Sequence, residues 1–122
     1  MLAHKHLILK GSFRHRLNVA DVTHWISELV EKLGMKLVEH MPVNPCVGYE
    51  DGEDCGVSGV AIITTSHIVL HTWDNTNEFQ LDVYSCKEFE PSLVNDELKS
   101  IGFTVDSQRF FDREYNIIDL EL

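Results

Sequence analysis

The chain has 122 residues, 43% of them hydrophobic and 25% charged, and its 20 acidic against 10 basic side chains give a formal charge of −10. That length suits one hydrophobic core, so residues 1–122 are expected to form a single domain. The acidic balance argues against a nucleic-acid partner and no apolar run is long enough for a membrane span; the N-terminus has no signal-peptide pattern, so a cytoplasmic protein is expected.

In chain order, alternation over His4 to Phe13 predicts a strand with Leu7 and Leu9 on one face and His6, Ile8 and Lys10 on the other. Val22, Trp25, Ile26, Leu29, Val30 and Leu33 then fall on one helical stripe, with Asp21 in the first turn and Gly34 placed to end it. Trp25 belongs to that stripe and is read as core. A short strand is expected over Lys36 to Met41, followed by a loop from Pro42 to Gly56.

From Val57 to Ser85 the pattern is β-rich. Strands are expected at Val57 to Ile63, Ile68 to Trp73 and Phe79 to Tyr84, with Asp74 to Asn77 as the turn between the last two. Pro91 opens a second helix that carries Leu93, Val94, Leu98 and Ile101 and stops at Gly102, and a last strand covers about Phe103 to Phe111. This order predicts an α+β fold, a two-layer sandwich of a mainly antiparallel sheet with helices on one face.

Chemistry-bearing residues concentrate between Gly56 and Cys86. His67 and His71 stand four apart, which on a helix would suit one metal ion; on a strand they lie roughly 13 Å apart, so no metal site is expected. A Ser66, His71, Asp82 hydrolase triad is disfavoured because Thr65 and His67 flank the serine, where a nucleophile elbow needs glycines. Cys46, Cys55 and Cys86 are odd in number and form no CxxC pair, so free thiols are expected.

Gly56-Val57-Ser58-Gly59-Val60, then Ser66-His67-Ile68-x-x-His71-Thr72-Trp73, then Asp82-Val83-Tyr84-Ser85-Cys86 resemble the bacterial and archaeal S-adenosylmethionine decarboxylases. The resemblance implies a proenzyme that cuts itself between Thr65 and Ser66 and converts Ser66 to a pyruvoyl group, the ketone that captures an α-amino acid as a Schiff base. It implies spermidine and other polyamine biosynthesis, and a homodimer. By position, Ser58 and His71 match residues that assist processing, and Cys86 matches the thiol that returns a proton after carbon dioxide leaves. Trp73, Asn75 and His67 are the implied substrate-binding residues.

Three departures stand out. Thr65 occupies the place of a glutamate, Asp74 and Asn75 replace Pro-Glu, and Gly52 falls where an aromatic residue is expected. The processing half of the motif is better kept than the substrate half. This leaves open a related decarboxylase acting on arginine or ornithine, or an unprocessed homologue that binds a ligand or partner without catalysis.

Overall fold

The computed structural model describes residues 2–38 and 47–115. These form an antiparallel six-stranded sheet in the order β2-β3-β4-β5-β1-β6, with two helices. The elements are β1 (Lys5–Phe13), α1 (Val19–Lys32), β2 (Val47–Tyr49), β3 (Gly56–Ile63), β4 (Ser66–Trp73), β5 (Glu78–Ser85), α2 (Pro91–Ser100) and β6 (Phe103–Asp112). No helix among the described residues is long and apolar enough to cross a membrane.

The alternation expected in the strands sorts their side chains onto two faces. Leu7, Leu9, Ala61, Ile63, Ile68, Leu70, Phe79, Leu81 and Val83 are buried with Val22, Trp25, Ile26, Leu29 and Val30 of α1 and Val94 and Leu98 of α2. Fully burying each large apolar side chain contributes about 1.5–3 kcal/mol, so this face dominates stability. The opposite face keeps His6, Ile8, Val60, Ile62, His67, Val69, His71, Asp82 and Tyr84 half-buried or exposed.

Helix α1 begins three residues before the apolar stripe because Asn18 caps it. The Asn18 side chain accepts from the Asp21 amide at 2.8 Å, and the Asp21 carboxylate accepts from the Asn18 amide at 3.1 Å. Gly34, at φ +71°, lies just past its end as expected. Trp25 is indeed core, and its Nε1 donates to the Glu97 carbonyl at 3.1 Å, tying α1 to α2.

One local expectation is met in part and another is corrected. Of the strand expected over Lys36 to Met41, the described residues show an antiparallel bridge from Leu37 to Ile63 and a Val38 amide donating to the Ile62 carbonyl at 3.2 Å; residues 39–41 lie outside the described residues. Inside the expected loop, Val47–Tyr49 pairs with the edge of β3 as β2. Three residues that include a glycine are too few to show a strand period, so pairing with a neighbour decides the outcome.

Candidate active site

Strands β3 and β4 are joined by Thr64 and Thr65 alone, and Thr65 takes φ +54°. A β-branched residue in the left-handed region is a genuine outlier, costing on the order of 1–3 kcal/mol. The strain therefore sits at the residue that precedes Ser66.

Ser66 opens β4 on the helix-facing side and is 8% exposed. Its Oγ accepts from the Cys86 amide at 3.0 Å, because β5 runs out at Ser85 beside the start of β4. The Cys86 sulfur is 3.1 Å from the Thr65 hydroxyl, which also lies 2.8 Å from the Thr64 carbonyl. One hydroxyl has one proton, so Thr65 either donates to an ionised Cys86 or donates to the carbonyl and receives from the thiol. Hydrogen bonding from Thr65, then from Ser66, pulls the Cys86 thiol below the ordinary thiol range despite its burial. A cavity of about 450 Å³ opens beside this group, lined by Met35, Lys36, Ile63, Thr65, Ser66 and Cys86.

A second constellation stands at the other end of the same hairpin. Ser58 and His71 are opposed in register across β3 and β4, and Ser58 Oγ is 2.7 Å from His71 Nδ1. The Trp73 indole packs against the His71 ring at 6.0 Å between centroids. Tyr49, Asp54, Ser58, His71 and Trp73 line a cavity of about 320 Å³.

The two constellations do not meet within one chain. Ser66 and His71 are five residues apart along β4, about 16 Å at strand rise, and their side chains leave opposite faces of the sheet. The disfavoured Ser66, His71, Asp82 triad is likewise not assembled, since Asp82 Oδ1 instead lies 2.8 Å from His67 Nε2. Asn75 donates to the Gly52 carbonyl at 2.7 Å, so its amide secures the turn after β4 against the 52–55 segment.

Cys55 and Cys86 are free thiols, and Cys46 lies outside the described residues. Burial first, then the hydrogen bond to Asp74, pushes the Cys55 thiol up, opposite to Cys86. Tyr49 and Asp54 fall in the expected 42–56 loop, a polar segment placed to cover a site, and no local pattern marks either as a site residue. Thr65 is marked in the sequence as the residue before the expected cleavage and as a departure from the family pattern, but its backbone angle and hydroxyl-to-sulfur contact have no sequence signature.

A strained tight turn, a serine held at a strand start and a facing thiol define the class: a two-layer α+β protein with a serine and cysteine site at a hairpin tip. The family model for S-adenosylmethionine decarboxylase matches residues 11–108, and the chain belongs to that family. Curated relatives include the "S-adenosylmethionine decarboxylase proenzyme" of Geobacillus sp. (strain WCH70) and that of Geobacillus kaustophilus (strain HTA426). Each is 42% identical over 41 residues, which is 34% of this chain and 33% of the relative. The aligned region thus spans about a third of the length of these curated relatives. The fold is similar to the crystal structure of the adenosylmethionine decarboxylase from Aquifex aeolicus VF5, with TM-score 0.69 at 16% identity over 99% of this chain and 97% of that one.

Proposed function

We propose that this chain is a proenzyme that cuts itself between Thr65 and Ser66 and then decarboxylates S-adenosylmethionine for polyamine synthesis, using a pyruvoyl group made from Ser66. The observation that carries this reading is the left-handed Thr65 directly before a serine whose hydroxyl is fixed by the Cys86 amide. Cleavage of the Thr65–Ser66 bond releases the strain held at Thr65.

Ser66 Oγ adds to the Thr65 carbonyl carbon, the C–N bond breaks and the hydroxyl proton passes to the freed amine, leaving an ester. Removal of the Ser66 α-proton then expels the Thr65 carboxylate by β-elimination, and water replaces the nitrogen, which leaves as ammonia. The residues present fit the resulting group, because the start of β4 faces a cavity and a thiol rather than packed core. When bound there, a pyruvoyl ketone supplies the electron sink that decarboxylation of an α-amino acid requires.

The other roles belong to this chain's side chains. Cys86 Sγ holds the proton delivered to the substrate α-carbon once carbon dioxide has left, a task suited to a thiol drawn down from its ordinary range. His71, oriented through Nδ1 by Ser58, takes the proton in β-elimination. Trp73 and Asp54 offer an indole face and a carboxylate to the cationic sulfonium of the substrate.

These roles need two copies of the chain. The Ser58 and His71 pair is a strand length from Ser66, and the sheet face that carries it leaves Ile8 40% and Ile62 43% exposed. We infer a homodimer in which these faces stack. A two-fold axis between the sheets and perpendicular to β4 reverses that strand, bringing the His71 end of one copy to the Ser66 end of the other, where His71 approaches the Ser66 α-carbon while the Ser66 hydroxyl stays on the helix side.

Carbon dioxide release from carboxyl-labelled S-adenosylmethionine, arginine and ornithine tests the proposal. Release from S-adenosylmethionine is expected. Release only from arginine or ornithine would reassign the substrate, and none from any of the three by a cleaved chain would contradict the decarboxylase reading.

A further inference from the structure

One cluster of metal-ligating side chains on the open sheet face has no part in the processing and proton-transfer roles assigned above, although the resemblance counts His67 among the substrate-binding residues. His6 on β1 and His67 on β4 both stand opposite Tyr84 of β5, one from each side. Asp82 lies two residues earlier on β5 and on the same face, the diagonal position that long side chains reach across strands. Both imidazoles lean inward over it. His6 Nε2 and His67 Nε2 each lie 2.8 Å from the same carboxylate oxygen, Asp82 Oδ1.

Hydrogen bonding explains only half of this arrangement. His67 bonds Asp82, whereas His6 Nε2 is buried and close to the carboxylate yet makes no hydrogen bond of adequate geometry. Two imidazole nitrogens and a carboxylate oxygen thus converge, all within 4.8 Å of one another. Rings fix the approach: Phe111 packs against His6 at 5.1 Å, and Tyr84 lies 6.0 Å from His6 and 5.8 Å from His67. No helix among the described residues covers this face, which the homodimer inferred above sets against a second copy.

We propose that His6, His67 and Asp82 form a three-ligand site for a divalent transition metal ion, of which zinc is the expected occupant. Two neutral imidazoles and one carboxylate favour a borderline ion such as zinc, cobalt or nickel over magnesium or calcium, which prefer oxygen ligands. Tetrahedral zinc holds such donors about 3.3 Å apart, so small ring rotations complete the geometry and leave the fourth position to water. The site differs from the His67 and His71 pair rejected on spacing, because its second imidazole comes from a neighbouring strand rather than from the same one. It does not rest on the decarboxylase reading.

Equilibrium dialysis of the chelator-stripped full chain against zinc, with metal analysis, tests this. About one ion per chain is expected, with affinity weakened at least about tenfold in His67→Gln and in Asp82→Asn. His24→Gln, which alters an exposed histidine on α1, is expected to bind as the parent does. Unchanged binding in His67→Gln and Asp82→Asn would overturn the proposal. On the unaltered protein, zinc is expected to shift the ring resonances of His6 and His67; rings that stay unshifted at saturating zinc would overturn it as well.

Discussion

The Thr65 hydroxyl lies 3.1 Å from the Cys86 sulfur, joining the residue before the proposed cleavage point to the proposed proton donor. The turn that strains the backbone therefore also conditions the thiol.

The first prediction concerns that thiol. Cys86 is lowered chiefly by the Thr65 hydrogen bond and Cys55 is raised chiefly by burial, so peptide-resolved alkylation of the folded protein against pH is expected to rise at lower pH for Cys86 than for Cys55. Thr65→Ala removes the donor and is expected to move the Cys86 profile upward. The reverse order, or a Cys86 profile unmoved by Thr65→Ala, would count against the assigned cause. Linkage has a definite sign here: a depressed folded-state thiol pKa adds stability above the free-thiol pKa, and that gain is lost as pH falls through the folded value.

Complementation between chains gives the second prediction. His71→Gln alone is expected to be cut slowly or not at all, and Ser66→Ala not at all. Co-expressed, the two variants form mixed dimers in which an intact Ser66 faces an intact His71, so the His71→Gln chain is cut. No cutting in the mixture, with mixed dimers shown to form, would contradict the shared site.

A third prediction addresses stability. The Val57 amide donates to the buried Thr72 hydroxyl at 2.8 Å, and Thr72→Val leaves that donor without its partner. A loss of about 1–3 kcal/mol in urea unfolding is expected. A loss under half a kilocalorie would show that the bond adds little.

Much of the fold was legible because its elements are long enough to show their period. Helix α1 and strands β3 to β5 declared themselves by apolar spacing, and Gly34 and Gly102, both at positive φ, marked helix ends. Strand β2 did not, since Val47–Tyr49 owes its conformation to the β3 edge. Ser66 and Cys86 were singled out by the motif, but their contact depends on β5 ending beside the start of β4. The separation of Ser58 and His71 from Ser66 followed only once strand faces were fixed. The convergence of His6, His67 and Asp82 needed the register of three strands, which no local pattern encodes.

Intact-mass analysis of the purified chain after prolonged incubation tests the central claim most directly. The account predicts two fragments, one ending at Thr65 and one beginning at a pyruvoyl-blocked residue 66, with Ser66→Ala remaining whole. A single uncut parent chain, folded and stable through the incubation, would contradict it.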